Sequence, residues 1–473
     1  MSLENKEVAV PKRILNTLLS SLSAGVVPRS GAPYIAIGRR EEIGSLLDNL
    51  DDTAEGGSFC RFLIGRYGSG KSFLIQLIRG YALDRGFLCA DADLSPERRL
   101  TGGNGAGIAT YRELMINIAS KVSPEGGALS TVLSRYFTKV KTELVGEGVM
   151  PESDVFEAEL KKRIYCTLAE LEGDVGGFDF AKVLGEYYLA SMNDMAERKT
   201  ACLRWIRGEF ANKTEAISAL GFRVSTVIDD NNWYNFIKLF ASLSVKLGYS
   251  GLIVFIDECV NLYKITNRIS REANYEKLLS IFNDTLQGKT RNLGIIFGGT
   301  PQFLEDTRRG LFSYDALKSR LADSKYSELG YQNLSSPVIR LRRLSDNELL
   351  ALVKRLTKLY AQREGTDKAP LGDAEIDIFL NKALSKAGAE EMVTPREIIR
   401  DYLTLLNVLR DNKGATFEGI MSNITFARAE NTDGEGEGLL APSSGFSSAS
   451  SSSSATAPKA SSRPKIDLFD IDI

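Results

Sequence analysis

The sequence contains no histidine in 473 residues, where ordinary usage near ~2% would supply on the order of ten. Ser-His-Asp and Cys-His nucleophilic catalysis and every histidine-ligated metal centre are thereby excluded. Cysteine is scarce too. Cys60, Cys89, Cys166, Cys202 and Cys259 are odd in number, widely spaced and without a C-x-x-C pair. That pattern fits buried thiols in a reducing compartment, not a disulfide framework or a zinc site. Long apolar runs are absent: Leu252–Ile256 near the middle falls far short of the ~18 residues that span a bilayer. The opening MSLENKEVAVPKR is polar, so no secretory signal and no membrane partner are expected, and a cytoplasmic location is. An excess of one charge is also missing. With 59 Lys+Arg against 61 Asp+Glu, the chain is not a wholesale polybasic nucleic-acid binder. Chemistry must therefore run on carboxylates, lysine, arginine, hydroxyls, backbone amides or a bound ion. Phosphoryl transfer is the large reaction class that needs no imidazole.

Along the chain, residues 1–36 read as a helix over Arg13–Ser23 and a connector, GVVPRSGAP. From 37 to 109, helix and strand alternate: Glu41–Leu50 is amphipathic, Phe59–Ile64 apolar, Ser72–Asp84 helical and Phe87–Asp91 a second strand. Such alternation predicts a parallel sheet. Residues 110–250 carry helical periodicity with little strand signal, as in YRELMINIASKV and FEAELKKRIYCTLAELE, and read as a helical insertion. Strands are expected again at Leu252–Ile256, Leu293–Gly298 and Pro337–Leu341, within a second core segment over 251–344. A helical lid over 345–430 follows. Its Ser345/Glu348 and Thr394/Glu397 pairs fit capping boxes, with Leu344–Leu349 and Val393–Ile398 as hydrophobic staples. In the tail, 431–473, eleven of the twenty residues 443–462 are serine, too polar to bury a core, so a disordered linker is expected. It ends in IDLFDIDI, which reads equally as a docking peptide or an inert soluble tail.

Two strings carry the chemistry. Gly65-Arg66-Tyr67-Gly68-Ser69-Gly70-Lys71-Ser72 matches G-x-x-x-x-G-K-[ST], between an apolar strand and an apolar-faced helix. The glycines let backbone N–H groups curl around phosphate, Lys71 reaches the β and γ phosphates of ATP, and Ser72 serves Mg²⁺. The second, Leu252–Glu258, is an apolar strand ending in two acids: Asp257 to support Mg²⁺ and Glu258 to act as base on the attacking water.

The set resembles the AAA+ superfamily over about residues 10–425. The resemblance implies an α/β fold: a P-loop NTPase core with a parallel five-stranded sheet, the helical insertion and the C-terminal lid. Ile37-Gly38-Arg39-Arg40-Glu41-Glu42-Ile43 is similar to the segment that lines the adenine pocket in initiator-like members, which implicates Gly38 and Arg39. Gly298-Gly299-Thr300 resembles sensor 1, Ala316–Leu321 the helix end that carries an arginine finger at Arg320, and Thr394-Pro395-Arg396 the lid arginine of sensor 2. More narrowly, AGVVPRSG, IGRREEI, GRYGSGKS, FIDE and GGTPQFLEDTRRGLFSYDALKSRL resemble the ATP-binding proteins of BREX anti-phage systems, the BrxD-like group. That likeness implies a homo-oligomeric ATPase in bacterial defence, working with a helicase or other system proteins.

Several choices stay open at this level. Arg308 and Arg309 compete with Arg320 as finger, and Thr300 reads equally as a turn residue. Arg396 falls at N2 of a capped helix, where the macrodipole disfavours a cation unless a phosphate offsets it. Trp205 and Trp233 suit helix packing better than base stacking. Between Ile339 and Arg363 lie Arg340, Arg342, Arg343, Lys354, Arg355, Lys358 and Arg363. They serve DNA phosphates or a solvated lid equally well. For function, a DNA- or helicase-directed motor stands beside a slow nucleotide-gated assembly switch and a transposition or replication regulator.

Overall fold

In the computed structural model, residues 10–151, 153–171, 176–323, 333–366, 368–385 and 394–423 are described. Val393, with the second staple, and the tail beyond 423, with its linker and docking peptide, lie outside them. Five apolar runs form one parallel sheet: β1 Ser58–Ile64, β2 Leu88–Asp93, β3 Leu252–Asp257, β4 Leu293–Gly299 and β5 Val338–Arg340, in the order β2-β3-β4-β1-β5. This is the α/β fold expected. Register brings the carboxyl ends together, with Ile64 opposite Gly299 and Asp93 opposite Asp257.

Side chains alternate across the strands and both faces are buried, as a parallel sheet requires. Leu63, Cys89, Ile253, Phe255 and Ile296 pack with α2 (Arg40–Ala54) and α3 (Lys71–Asp84). Phe62, Leu88, Val254, Ile256 and Phe297 face the helices that follow β2. Those are α4 Ala106–Ile116, α5 Leu129–Gly146, α6 Asp154–Ala169, α7 Gly177–Met192, α8 Ala196–Ile206, α9 Lys213–Leu220 and α10 Trp233–Lys246. Trp205 and Trp233 are each about 1% exposed and donate their indole N–H to the Thr226 and Leu100 carbonyls, so both are core residues. After β3 come α11 Val260–Tyr263 and α12 Arg268–Leu286; α13 Pro301–Glu305 and α14 Asp315–Leu321 follow β4.

The lid has a separate core built from α15 Asp346–Glu364, α16 Asp373–Leu384, α17 Pro395–Asp411 and α18 Phe417–Asn423. The N-terminal helix, α1 Lys12–Ser23, belongs to it. Its Leu15, Leu18, Leu19 and Leu22 repeat at i, i+3, i+4 and i+7 and are buried against α15 and α17. Each such burial is worth roughly 1.5–3 kcal/mol, which makes α1 an integral part of the lid. Both capping boxes form: Ser345 and Thr394 accept from the backbone N–H of Glu348 and Glu397, whose carboxylates accept in return from the capping residues' own N–H.

Three local readings need correction. The helix containing YRELMI stops at Ile116, because Ala119 exchanges both backbone hydrogen bonds with Cys89 at the edge of β2. The second strand runs two residues further than Asp91, drawn on by pairing with Ile256 and Asp257. Four cysteines are buried, but Cys166, on the outer face of α6, is exposed.

Candidate functional site

β1 ends in the glycine-rich loop, and Gly65 N–H donates to the Gly299 carbonyl on neighbouring β4. Lys71, the first residue of α3, is buried, and its Nζ turns back onto the Gly65 and Arg66 carbonyls at 2.7 and 3.0 Å. The Tyr67 ring, 43% exposed, lies 5.4 Å below the same ammonium. Burial lowers the Lys71 pKa from the usual lysine value, the nearby Arg396 charge lowers it further, and Asp257 and Glu258 oppose the shift. Gly70 precedes α3 in the left-handed conformation. The Ser69 hydroxyl is buried and has no hydrogen-bond partner. A buried orphan hydroxyl in a loop otherwise full of donors is what a phosphate oxygen would satisfy.

Two strands away, Asp257 closes β3. Its Oδ2 accepts from Ser72 Oγ at 2.8 Å and its Oδ1 from Glu258 N–H at 2.8 Å. A side chain at Gly298 would come within 2.2 Å of Asp257 Oδ1, so the bare backbone of β4 makes room for this carboxylate. The Ser72–Asp257 pair is a hard-oxygen donor set that fits Mg²⁺, which prefers few protein ligands and several waters. Glu258 leaves the strand at φ +57°, an uncommon region for a residue with a side chain. Burial raises its pKa first, then the adjacent Asp257 and Asp93, against Lys71.

Asp93 is a site residue that sequence reading missed. It ends β2 directly opposite Asp257, and burial followed by the Asp257 charge raises its own pKa. The available signal was the same as for Asp257: an apolar strand that terminates in acids, here Asp91-Ala92-Asp93.

Arg39 has a different environment from an open adenine-lining residue. It is buried, bonds Glu42 Oε1 at 3.2 Å through Nη1, and donates from Nη2 to the Ser69 carbonyl at 3.1 Å. With that carbonyl turned toward Arg39, the Gly70 N–H on the same planar peptide points the opposite way. Arg39 therefore fixes loop geometry from outside the cradle. Gly38 beside it lies against Leu344 and Glu348 of the lid segment.

The lid touches the loop directly. Gly68 has φ +74°, and a side chain there would fall 2.6–2.9 Å from Thr394, the residue that caps α17. Arg396, one residue into the first turn, donates Nε to the Gly25 carbonyl at 2.7 Å. Thr300 is buried and accepts from Phe303 N–H as the cap of α13. That bond uses a lone pair and leaves the hydroxyl proton to donate. Of the finger candidates, Arg309 is turned inward over the Tyr263 ring, within 3.4 Å of the Lys264 and Ile265 carbonyls. Arg308 and Arg320 are exposed, and Arg320 donates back to the Ala316 carbonyl of its own helix.

The basic stretch is largely neutralised within the chain. Arg340 pairs with Glu305 and Asp323, Arg342 with Glu348, Lys354 with Asp373 and Arg363 with Glu364, while Arg355 donates to the Tyr34 carbonyl.

A parallel sheet carrying a glycine-rich loop after β1, a Ser-to-acid contact across to β3 and a lid helix over the loop defines a P-loop nucleoside triphosphatase fold. Its particular family follows from comparison with family models: residues 10–424 match the BREX system ATP-binding protein BrxC/D model, and the chain belongs to that family. Its role is thus that of an ATP-binding protein of a BREX system. No curated protein matches the chain. No helix among the described residues is long and apolar enough to cross a membrane.

Proposed function

We propose that the chain hydrolyses ATP to ADP and phosphate. The observation carrying this reading is the place of Glu258, a partly buried carboxylate just past the end of β3 and one residue beyond the acid that bonds Ser72. Glu258 accepts the proton of the attacking water, while Lys71 and the loop amides hold the β and γ phosphate oxygens. Ser72 and Asp257 would hold Mg²⁺, which when bound neutralises charge on those oxygens. Thr300 donates its hydroxyl hydrogen toward the phosphates, and Arg396 brings a lid cation to them. Tyr67, Arg66 and Gly38 border the nucleotide.

Arg320 is assigned to the nucleotide of a neighbouring copy, so the active form is a homo-oligomer. Arg320 is favoured over Arg309 by its exposure, since Arg309 is committed to Tyr263 and two carbonyls. With the 339–363 cations mostly paired internally, work on DNA through a partner helicase is favoured over direct contact by that stretch. Bacterial cytoplasm is the setting this implies. Steady-state ATPase over a range of protein concentration, with and without double- and single-stranded DNA, tests the proposal. Release of phosphate with specific activity rising with concentration is expected. Absence of turnover at every concentration, with or without DNA, overturns hydrolysis and leaves a binding-only switch.

A further inference from the structure

We infer that Gly25 is a positioning residue for the lid arginine: the turn that ends α1 aims its backbone carbonyl at Arg396 Nε and so orients the guanidinium. This rests on the reading of Arg396 as a phosphate ligand. The helix α1 ends in a Schellman turn. Val26 N–H bonds the Ser21 carbonyl at 2.9 Å, Gly25 N–H bonds that of Leu22 at 3.0 Å, and Gly25 takes φ +70°. That conformation leaves the Gly25 carbonyl pointing out of the turn, where Arg396 Nε meets it at 2.7 Å. The acceptor lies 371 residues away in sequence, yet α1 is packed in the same core as α17. The carbonyl and the arginine are therefore held in one packed unit.

An arginine fixed through Nε keeps both Nη groups for bidentate pairing with phosphate oxygens. It also loses less rotamer freedom on meeting its ligand. A carbonyl at the end of a helix is a favourable partner for a cation. At α17's own first turn the dipole has the opposite sign, so the α1 terminus offsets the unfavourable placement of Arg396.

The turn can be broken without crowding the arginine. A Cβ on Gly25 would lie 3.9 Å from Arg396 Nε and 4.0 Å from Arg400 Cδ, ordinary contact distances, so substitution acts through φ alone. Asparagine tolerates the left-handed region, whereas a β-branched residue does not. Binding of a non-hydrolysable ATP analogue with Mg²⁺ is to be titrated on the full chain for wild type, Gly25→Asn, Gly25→Val, Arg396→Ala and Gly25→Val/Arg396→Ala. Gly25→Asn should bind as wild type. Gly25→Val should bind roughly tenfold more weakly, the scale of one hydrogen bond to a charged group. The double variant should match Arg396→Ala. If Arg396→Ala weakens binding but Gly25→Val does not, the positioning role is overturned while the ligand role of Arg396 stands. If Arg396→Ala binds as wild type, both fall. A double variant weaker than Arg396→Ala, or a Gly25→Asn as weak as Gly25→Val, shows a general lid defect and overturns the inference.

Discussion

Replacing Arg39 with methionine removes one half of a buried ion pair and the outer anchor of the phosphate loop together. Arg39 and Glu42 have side chains only 6% and 4% exposed, so Glu42 would be left as an uncompensated buried charge. Breaking such a pair from one side costs about 3–5 kcal/mol, a large part of the ~5–15 kcal/mol that holds an ordinary domain folded. Replacing both partners, as Arg39→Met/Glu42→Leu, removes the stranded charge and should recover most of that stability. It cannot recover the bond to the Ser69 carbonyl. The double variant should therefore unfold at a denaturant midpoint near wild type, yet bind ATP at least ~10-fold more weakly, the scale of one charged hydrogen bond. Denaturant melts and nucleotide titrations of the three proteins decide the matter. A stable double variant with wild-type ATP affinity would show that Arg39 serves the core and not the loop. A single variant losing under ~1 kcal/mol would show that the pair is not the buried liability that its exposure indicates.

Lys71→Ala should lower ATP affinity by at least ~100-fold, since it removes two or more charge-assisted bonds to phosphate; calorimetric affinity equal to wild type would end the phosphate-loop assignment. Glu258→Gln should retain ATP but lose single-turnover hydrolysis, and it should also stabilise the ligand-free chain at neutral pH. The sign follows from the raised proton affinity of Glu258. Its contribution to stability is full below the ordinary glutamate value of ~4.3 and is lost as pH rises through the raised folded value, so ionised Glu258 is a burden at pH 7. Unchanged melting between pH 5 and 8, together with wild-type turnover, would contradict both claims. For wild type, kcat/KM for ATP, which reports the free enzyme, should fall as pH drops through the raised Glu258 value. Mixing Arg320→Ala with Lys71→Ala should restore partial activity through mixed interfaces, since each variant keeps what the other lacks. Mixtures no more active than the separate variants would refute action across subunits.

Most of the fold was legible because its signals are local. Leu252–Ile256 and Phe59–Ile64 are apolar beyond what a surface strand tolerates, and Ser345 and Thr394 each announce a helix three residues ahead of a glutamate. The strand after Asp91 was less legible, because Ala92 and Asp93 have weak strand preference and are drawn in only by their partners on β3. The same reason hid Asp93 beside Asp257. Chain order gives no hint that β2 and β3, about 160 residues apart, are neighbours. Nor does composition reveal that the cations of 339–363 meet acids at Glu305, Asp323 and Asp373, since a window counts only its own residues. Arg39 illustrates the limit at the site itself. The string around it drew attention to the position, but only packing shows its guanidinium spent on Glu42 and Ser69.

By its own residues alone, the site is electrostatically unbalanced on both sides. Lys71 and Arg396 bear on each other as like charges, while Asp257, Glu258 and Asp93 crowd at two adjacent strand ends. The two sets relieve each other only in part: Asp257 and Glu258 act favourably on Lys71, yet burial keeps the Lys71 pKa lowered and the Glu258 pKa raised. Lys71 is tied to its own loop carbonyls, and Ser72 lies bonded to the acids' side of the cleft. In the proposed reading, Mg²⁺ with a polyphosphate would supply an anion to the first set and a cation to the second, relieving in a single event two repulsions that folding leaves in place. Because Arg396 rides on α17, and α17 shares its core with α1 and α15, the first relief would be felt as a pull between lid and loop. The contact at Gly68 and Thr394 lies on that line. On that reading, coupling of nucleotide state to lid position would need no extra element: it would follow from cations divided between loop and lid and a ligand whose charge lies between them.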